Sequence, residues 1–245
     1  MARFAKYANS LSIAVENVIL HWKYQSLKST LSGLTMKNRH SLLQIEYFPT
    51  VWFFVQCCGH ETVYLEACEN YQKRSYRNRA QISGPNGPMW LAVPLMKGKN
   101  KQTPIREVKI AYYDSWQSTQ WHSIQSAYGK TPFFEHYADF VRNLVLQKEH
   151  FLFTKNVNIV SAIANELELD VTLRFSESYN VNQSEGISDF RSKNPIPSKN
   201  EAVLHRYEQY PQPFDYKQPF RPNLSILDLV FCKGPETKHY LEKAF

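Results

Sequence analysis

Residues 71–79, YQKRSYRNR, set Lys73, Arg74, Arg77 and Arg79 among tyrosines with no acid between them. The planar fork of arginine grips phosphate oxygens in pairs, whereas lysine meets them as a point charge. Read as a strand, the stretch turns Arg77 and Arg79 to one side and Asn78 to the other. Two forks on one side suit a diphosphate, such as that of a nucleotide sugar, and Tyr71 and Tyr76 are placed to stack on a base or a sugar. The plainer reading is a solvated basic edge that blunts strand-to-strand aggregation.

The charge distribution sharpens the first reading. Eight Lys and Arg fall between Asn70 and Arg106, with no Asp or Glu between Glu69 and Glu107. The chain holds 29 basic and 22 acidic residues, so outside this window 21 basic residues face 22 acids. The whole positive excess therefore lies in one place, where its field draws anions.

Three further groups are candidates for chemistry. His122, on a helical stretch between Trp121 and Ile124, sits at the border of an apolar face. There a neutral imidazole serves as a general base for a sugar amine or hydroxyl. The alternative is a structural histidine at a helix interface. Gln44, Glu46 and Tyr47 follow one another at the end of an apolar strand, where ligands of open α/β sheets gather. Glu46 would orient a sugar or an amino group and Tyr47 would hydrogen-bond it; simple exposure at a strand end is the competing reading. Glu66 and Glu69, three apart on a strand, point opposite ways and are not expected to share a proton.

The chain carries no G-x-S-x-G elbow, P-loop, G-x-G-x-x-G or H-E-x-x-H pattern, so no ATP, NAD or zinc chemistry is expected and no cofactor is assigned. Cys57, Cys58, His60 and Cys68 match no C-x-x-C spacing, and no metal site is assigned. An adjacent pair and two single cysteines are unlike a secreted disulfide framework. No window reaches the ~18 uninterrupted apolar residues of a spanning helix. The expectation is a cytoplasmic protein without a membrane span.

The elements that must position these groups follow from periodicity. LLQIEY reads as a buried first strand, TVWFFVQCC as an apolar helix and VYLEACE as a second strand. Arg79–Ile82 and residues 89–93 flank GPNGP, two strands joined by a tight turn. KGKNKQTP reads as a basic loop and REVKIAYY as a further strand. The second half turns helical. Trp121, Ile124 and Tyr128 share a face, as do Phe140, Leu144 and Val145, and then Val160, Ile163 and Leu167. VTLRF reads as a strand, and residues 176–200 as a long polar loop. Ser225 and Asp228 form a capping-box pattern before LSILDLVF, which stops at Gly234. The fold class is α/β, with a mixed central sheet, helices on both faces and a helix-rich C-terminal half. Residues 1–40 read as an extension, with Met36 as an alternative start, and residues 41–245 as a single domain.

LLQIEYFPTVWFF, YQKRSYRNRAQISGPNGPMWLAVPL and WQSTQWHSIQSAYGKTPFFEHY together resemble the WbqC-like protein family. NLSILDLVFCKGPET looks like the C-terminal part of its Bacteroidetes-type members, so the resemblance covers residues 42–245. It implies a place with O-antigen and other surface polysaccharide genes, and acyl or aminoacyl (glycyl) transfer to a nucleotide-linked amino sugar. On this reading Lys73, Arg77 and Arg79 hold phosphates, Asn78 and Tyr47 orient the sugar, Gln44 and Tyr71 line the site, and His122 and Glu46 are catalytic. The partner is a nucleotide sugar or another phosphorylated small molecule. The alternative is a non-catalytic anion- or nucleic-acid-binding module, or an accessory protein of polysaccharide assembly. The absence of an RNP-like or helix-turn-helix pattern argues against nucleic acid.

Overall fold

Ser41, Leu42 and Leu43 are all buried, and this unbroken burial, rather than an in–out alternation, marks an interior strand of a parallel sheet. The computed structural model describes residues 40–97, 103–179, 186–192, 194 and 207–245. The expected extension lies outside them up to residue 39, and the first strand, β1, is His40–Gln44. It leads into α1, Val51–Gly59, whose Thr50 side chain caps the helix by accepting from the Phe53 amide. Every residue of α1 is buried, as expected of a helix apolar all round. The next strand, β2, is Thr62–Glu66.

The hairpin around GPNGP is β3, Arg79–Ile82, and β4, Met89–Ala92, paired antiparallel. Its turn closes through Gly87, whose N–H donates to the Gly84 carbonyl and whose φ of 115° no ordinary side chain adopts readily. Three helices follow: α2, Trp116–Tyr128, α3, Phe134–Leu146, and α4, Leu152–Glu166. They bury Ile124 and Tyr128, Leu144 and Val145, and Val160, Ile163 and Leu167 as the periodicity predicts, while Trp121 and Phe140 stay half-buried. Two strands, β5, Thr172–Phe175, and β6, Ile187–Asp189, precede α5, Ile226–Lys233, and α6, Thr237–Ala244.

The fold is α/β as expected. Its parallel and antiparallel pairings, expected in one mixed sheet, are divided between two: β5-β2-β1-β6, wholly parallel, and the β3–β4 pair. Two local expectations are corrected. REVKIAYY is not a strand. Ile105–Glu107 form a 3-10 turn, and then Lys109 and Ile110 make isolated bridges to Phe151 and Leu95, so no ladder runs. The polar loop expected over 176–200 contains β6, whose three residues are too few to show a period.

The capping box forms by half. Ser225 accepts from the Leu227 amide at 3.4 Å, but the Asp228 carboxylate turns inward instead of reaching back. Tyr128 and Tyr210 hydroxyls donate to it at 2.9 and 2.7 Å, and the Gln212 amide at 2.6 Å.

Candidate functional site

From β1 the chain crosses through α1 to β2 on one side, and it reaches the other side of β1 only with β6. Such a reversal in an open parallel sheet marks the place, beyond the carboxyl ends of the strands, where ligands bind. Glu46 stands two residues past β1 at this point and is wholly buried. One carboxylate oxygen accepts from Gln44 Nε2 at 3.0 Å and Asn194 Nδ2 at 2.5 Å. The other accepts from the Thr50 N–H at 3.1 Å and its hydroxyl at 3.3 Å. Asn194 is itself held by Asn223 Nδ2 at 3.1 Å, while the Asn223 oxygen accepts from the Trp52 N–H at 2.8 Å. Three elements are thus gathered on one carboxylate. Burial raises its pKa above the ordinary value, and the four hydrogen bonds offset only part of that rise.

A second carboxylate ends β2. Glu66 is buried and accepts from the Cys68 N–H and the Ser176 hydroxyl, each at 2.7 Å, and from Arg191 Nη1 at 2.6 Å. Arg191 also grips Asp189 and lies 4.4 Å over the Tyr179 ring. Glu69 goes elsewhere, to Arg77, so the two acids part as expected.

The basic cluster is not one surface. Arg77 is 2% exposed, its Nε 2.6 Å from Glu69 and its Nη2 on the other Glu69 oxygen. The fork expected to hold a phosphate is thus already engaged in a buried ion pair. The spacing argument fails because β3 begins only at Arg79, so no two-residue period relates it to Arg77. Asn78 accepts from the Tyr71 hydroxyl at 2.8 Å and donates to the Val93 carbonyl at 3.1 Å, and Tyr71 is buried. Lys73 and Arg74 are exposed in the turn before the hairpin. Arg79 is half-buried with its guanidinium carbon 4.5 Å from the Trp90 ring.

Tyr47 is fully buried, its hydroxyl donating to Gln120 Oε1 at 2.7 Å while Gln120 donates to the Ala92 carbonyl. Through Gln120 it joins the core to the hairpin. His122 is exposed on α2, and two residues along a helix it does not share the face of Gln120. Gln44 and Glu46 are therefore brought together, and His122 is left apart. Cys57 lies within α1, where burial pushes its thiol up, whereas Cys68 is exposed. Among the described residues no helix is long and apolar enough to cross a membrane. Sequence reasoning missed Arg191, Asn194 and Asn223, polar residues in irregular chain, each with a partner over a hundred positions away.

The chain matches the WbqC-like protein family over residues 44–194, more than half its length, and it belongs to that family. The match begins at Gln44 and ends at Asn194, the two amide side chains on the Glu46 carboxylate. The family is linked to polysaccharide-related genes. A protein of Mycobacterium tuberculosis (strain ATCC 25618 / H37Rv), described as "Uncharacterized protein Rv1507c", is 28% identical over 227 residues, covering 82% of this chain and 96% of its own. No solved structure matches.

Proposed function

We propose that this protein modifies a sugar of O-antigen or surface polysaccharide biosynthesis, transferring an acyl or aminoacyl group, glycyl included, to the amine of a nucleotide-linked sugar. The observation that carries this reading is Glu46: a buried carboxylate with a raised pKa at the switch point of the sheet, walled by half-buried Gln44 and Asn194. Desolvation makes it a stronger base than a solvated glutamate. The sugar amine attacks the carbonyl carbon of an activated acyl ester or thioester. A C–N bond forms, the bond to the leaving oxygen or sulfur breaks, and the proton shed by nitrogen passes to Glu46 and on to the leaving group. Gln44 and Asn194, turning from the carboxylate, bind the sugar hydroxyls. Exposed His122 takes no part.

Glu46→Gln is the test, assayed with amino-sugar nucleotides and glycyl or acetyl thioesters. Removing a general base lowers the transfer rate about 10²–10⁴-fold, while His122→Ala leaves it within about twofold. An active Glu46→Gln, or an inactive His122→Ala, overturns the assignment. A non-catalytic anion-binding module is the second reading, favoured by exposed Lys73 and Arg74. Oligonucleotide binding with a steep salt slope, lost when both are neutralised, would establish it.

A further inference from the structure

We propose that Arg79 and Trp90 form a sugar-phosphate subsite: the Arg79 fork takes the phosphate joined directly to the sugar, and the Trp90 indole carries the apolar face of the ring. The identity of the sugar rests on the function proposed above, and the geometry of the subsite stands apart from it.

In the hairpin, Arg79 pairs with Ala92 and Gln81 with Trp90. Directly opposed residues share a face, so these four side chains form one side of the ribbon while Ala80, Ile82 and Leu91 are buried on the other. The first side is open: Trp90 is 42% exposed, and Ala92 beside it is too small to cover the ring. Tyr76 meets the indole at 5.6 Å with planes tilted by 50°. An exposed indole backed by a phenol and a guanidinium is a platform for the C–H face of a pyranose.

Arg79 differs from Arg77 and Arg191 in what it lacks. Arg77 is paired with Glu69, and Arg191 with Glu66 and Asp189. Among the described residues Arg79 forms no ion pair, and its Nε is buried with no hydrogen-bond partner. Buried donors are nearly always satisfied, and a cationic donor is the costliest to leave bare. The indole holds the guanidinium in place but accepts no hydrogen bond in its plane. An oxyanion in that plane would accept from Nε and one Nη together, the paired geometry that phosphate and guanidinium share. With Arg77 committed to Glu69, the subsite grips one phosphate rather than the two that Arg77 and Arg79 together would have held.

The place is right for a sugar whose amine is to react. The Tyr47 N–H donates to the Tyr76 carbonyl at 2.9 Å, which lays the segment before the hairpin along the chain that leaves Glu46. Glu46 and Arg79 both act on the Tyr76 phenol, the carboxylate raising its pKa and the arginine lowering it, with burial the larger cause of its net rise. Phosphate recognition and the proposed base thus flank the same tyrosine.

The test uses the full chain with glucosamine 1-phosphate, glucosamine and acetate as probes. The Arg79 Nε–H resonance, identified by its absence in Arg79→Lys, is expected to shift with glucosamine 1-phosphate and to stay still with acetate. Arg79→Ala weakens binding of glucosamine 1-phosphate at least tenfold and leaves glucosamine unchanged. Trp90→Ala weakens both. A still resonance, equal movement with acetate, an Arg79→Ala that weakens both sugars alike, or a wild-type chain that ignores the sugar phosphate would each overturn the subsite. Binding as expected, in a chain that transfers no acyl group, would overturn the proposed function and leave the subsite standing.

Discussion

Glu46 and Asp228 are both wholly buried, Asp228 in the first turn of a helix and Glu46 with its carboxylate on the N-cap residue of another. The two helix starts are laced together. Thr50 and Ser225 form a β-bridge, the Val51 N–H donates to the Leu224 carbonyl, and the Ile226 N–H donates to that of Pro49. What differs is the wall around each carboxylate. Asp228 is enclosed by two phenols and one amide, all buried, and the Tyr128 phenol also accepts from the Ser83 N–H at 3.0 Å. Glu46 has two half-buried amides on one oxygen and a helix start on the other. A buried phenol already engaged on both sides has nowhere to turn. A half-buried amide at a sheet edge can rotate and present its oxygen in place of its nitrogen. Two carboxylates of the same burial are therefore held differently, one by a closed wall and one by groups able to turn, and on the function proposed above the second is the one that meets a ligand.

The largest effect separating them is expected from Asp228→Ala. It strands two hydroxyls and an amide in the interior, and a loss of about 3 kcal/mol is expected in urea unfolding, since each buried donor left unmet costs roughly 1–3 kcal/mol. A loss as small as that of a surface change would break the comparison.

Next comes the pH dependence. Burial raises the Asp228 pKa from 3.8 to about 6. Between about pH 4 and 6 the folded chain keeps a proton that the unfolded chain has released, so stability is greatest below this window and falls as pH rises through it. Two pKa units correspond to about 3 kcal/mol at most. Asp228→Asn is expected to flatten the curve of unfolding free energy against pH over that window. Glu46 is shifted in the same direction by the same cause, so Glu46→Gln removes part of the remaining fall. A curve that rises through the window in the wild type would contradict both.

The smallest expected effect is on stability in Glu46→Gln. Gln44 can turn its amide to accept from the new N–H, so the cost is about 1 kcal/mol, one ordinary hydrogen bond. Activity lost with that little stability would mark Glu46 as a working group; a loss matching that of Asp228→Ala would make it a second structural clamp.

Much of this was legible beforehand. The apolar run LLQI and the all-apolar helix after it announce a β–α–β start, and the alternating segments around GPNGP announce the hairpin, because these patterns are local. Gln44 and Glu46 were legible as a pair because they end a buried strand. β6 was not, for three residues carry no period and its hydrogen bonds go to a strand well over a hundred positions earlier. With β6 went Arg191 and Asn194, which only its pairing brings to the carboxyl edge.

The cations divide the same way. That a positive excess lies between Asn70 and Arg106 is a property of the chain, true in any conformation. Which of those cations is available is not. Arg77 and Arg79 are alike in type and two positions apart, yet one is sealed against Glu69 and the other lies on an open indole with a bare Nε. The sequence by itself determined the class of fold, the strand and helix faces, the hairpin and the sign of the local field, since these depend on neighbours a few residues away. Only the tertiary structure decided which acid meets which base, because ion pairing and burial are set by distance in space.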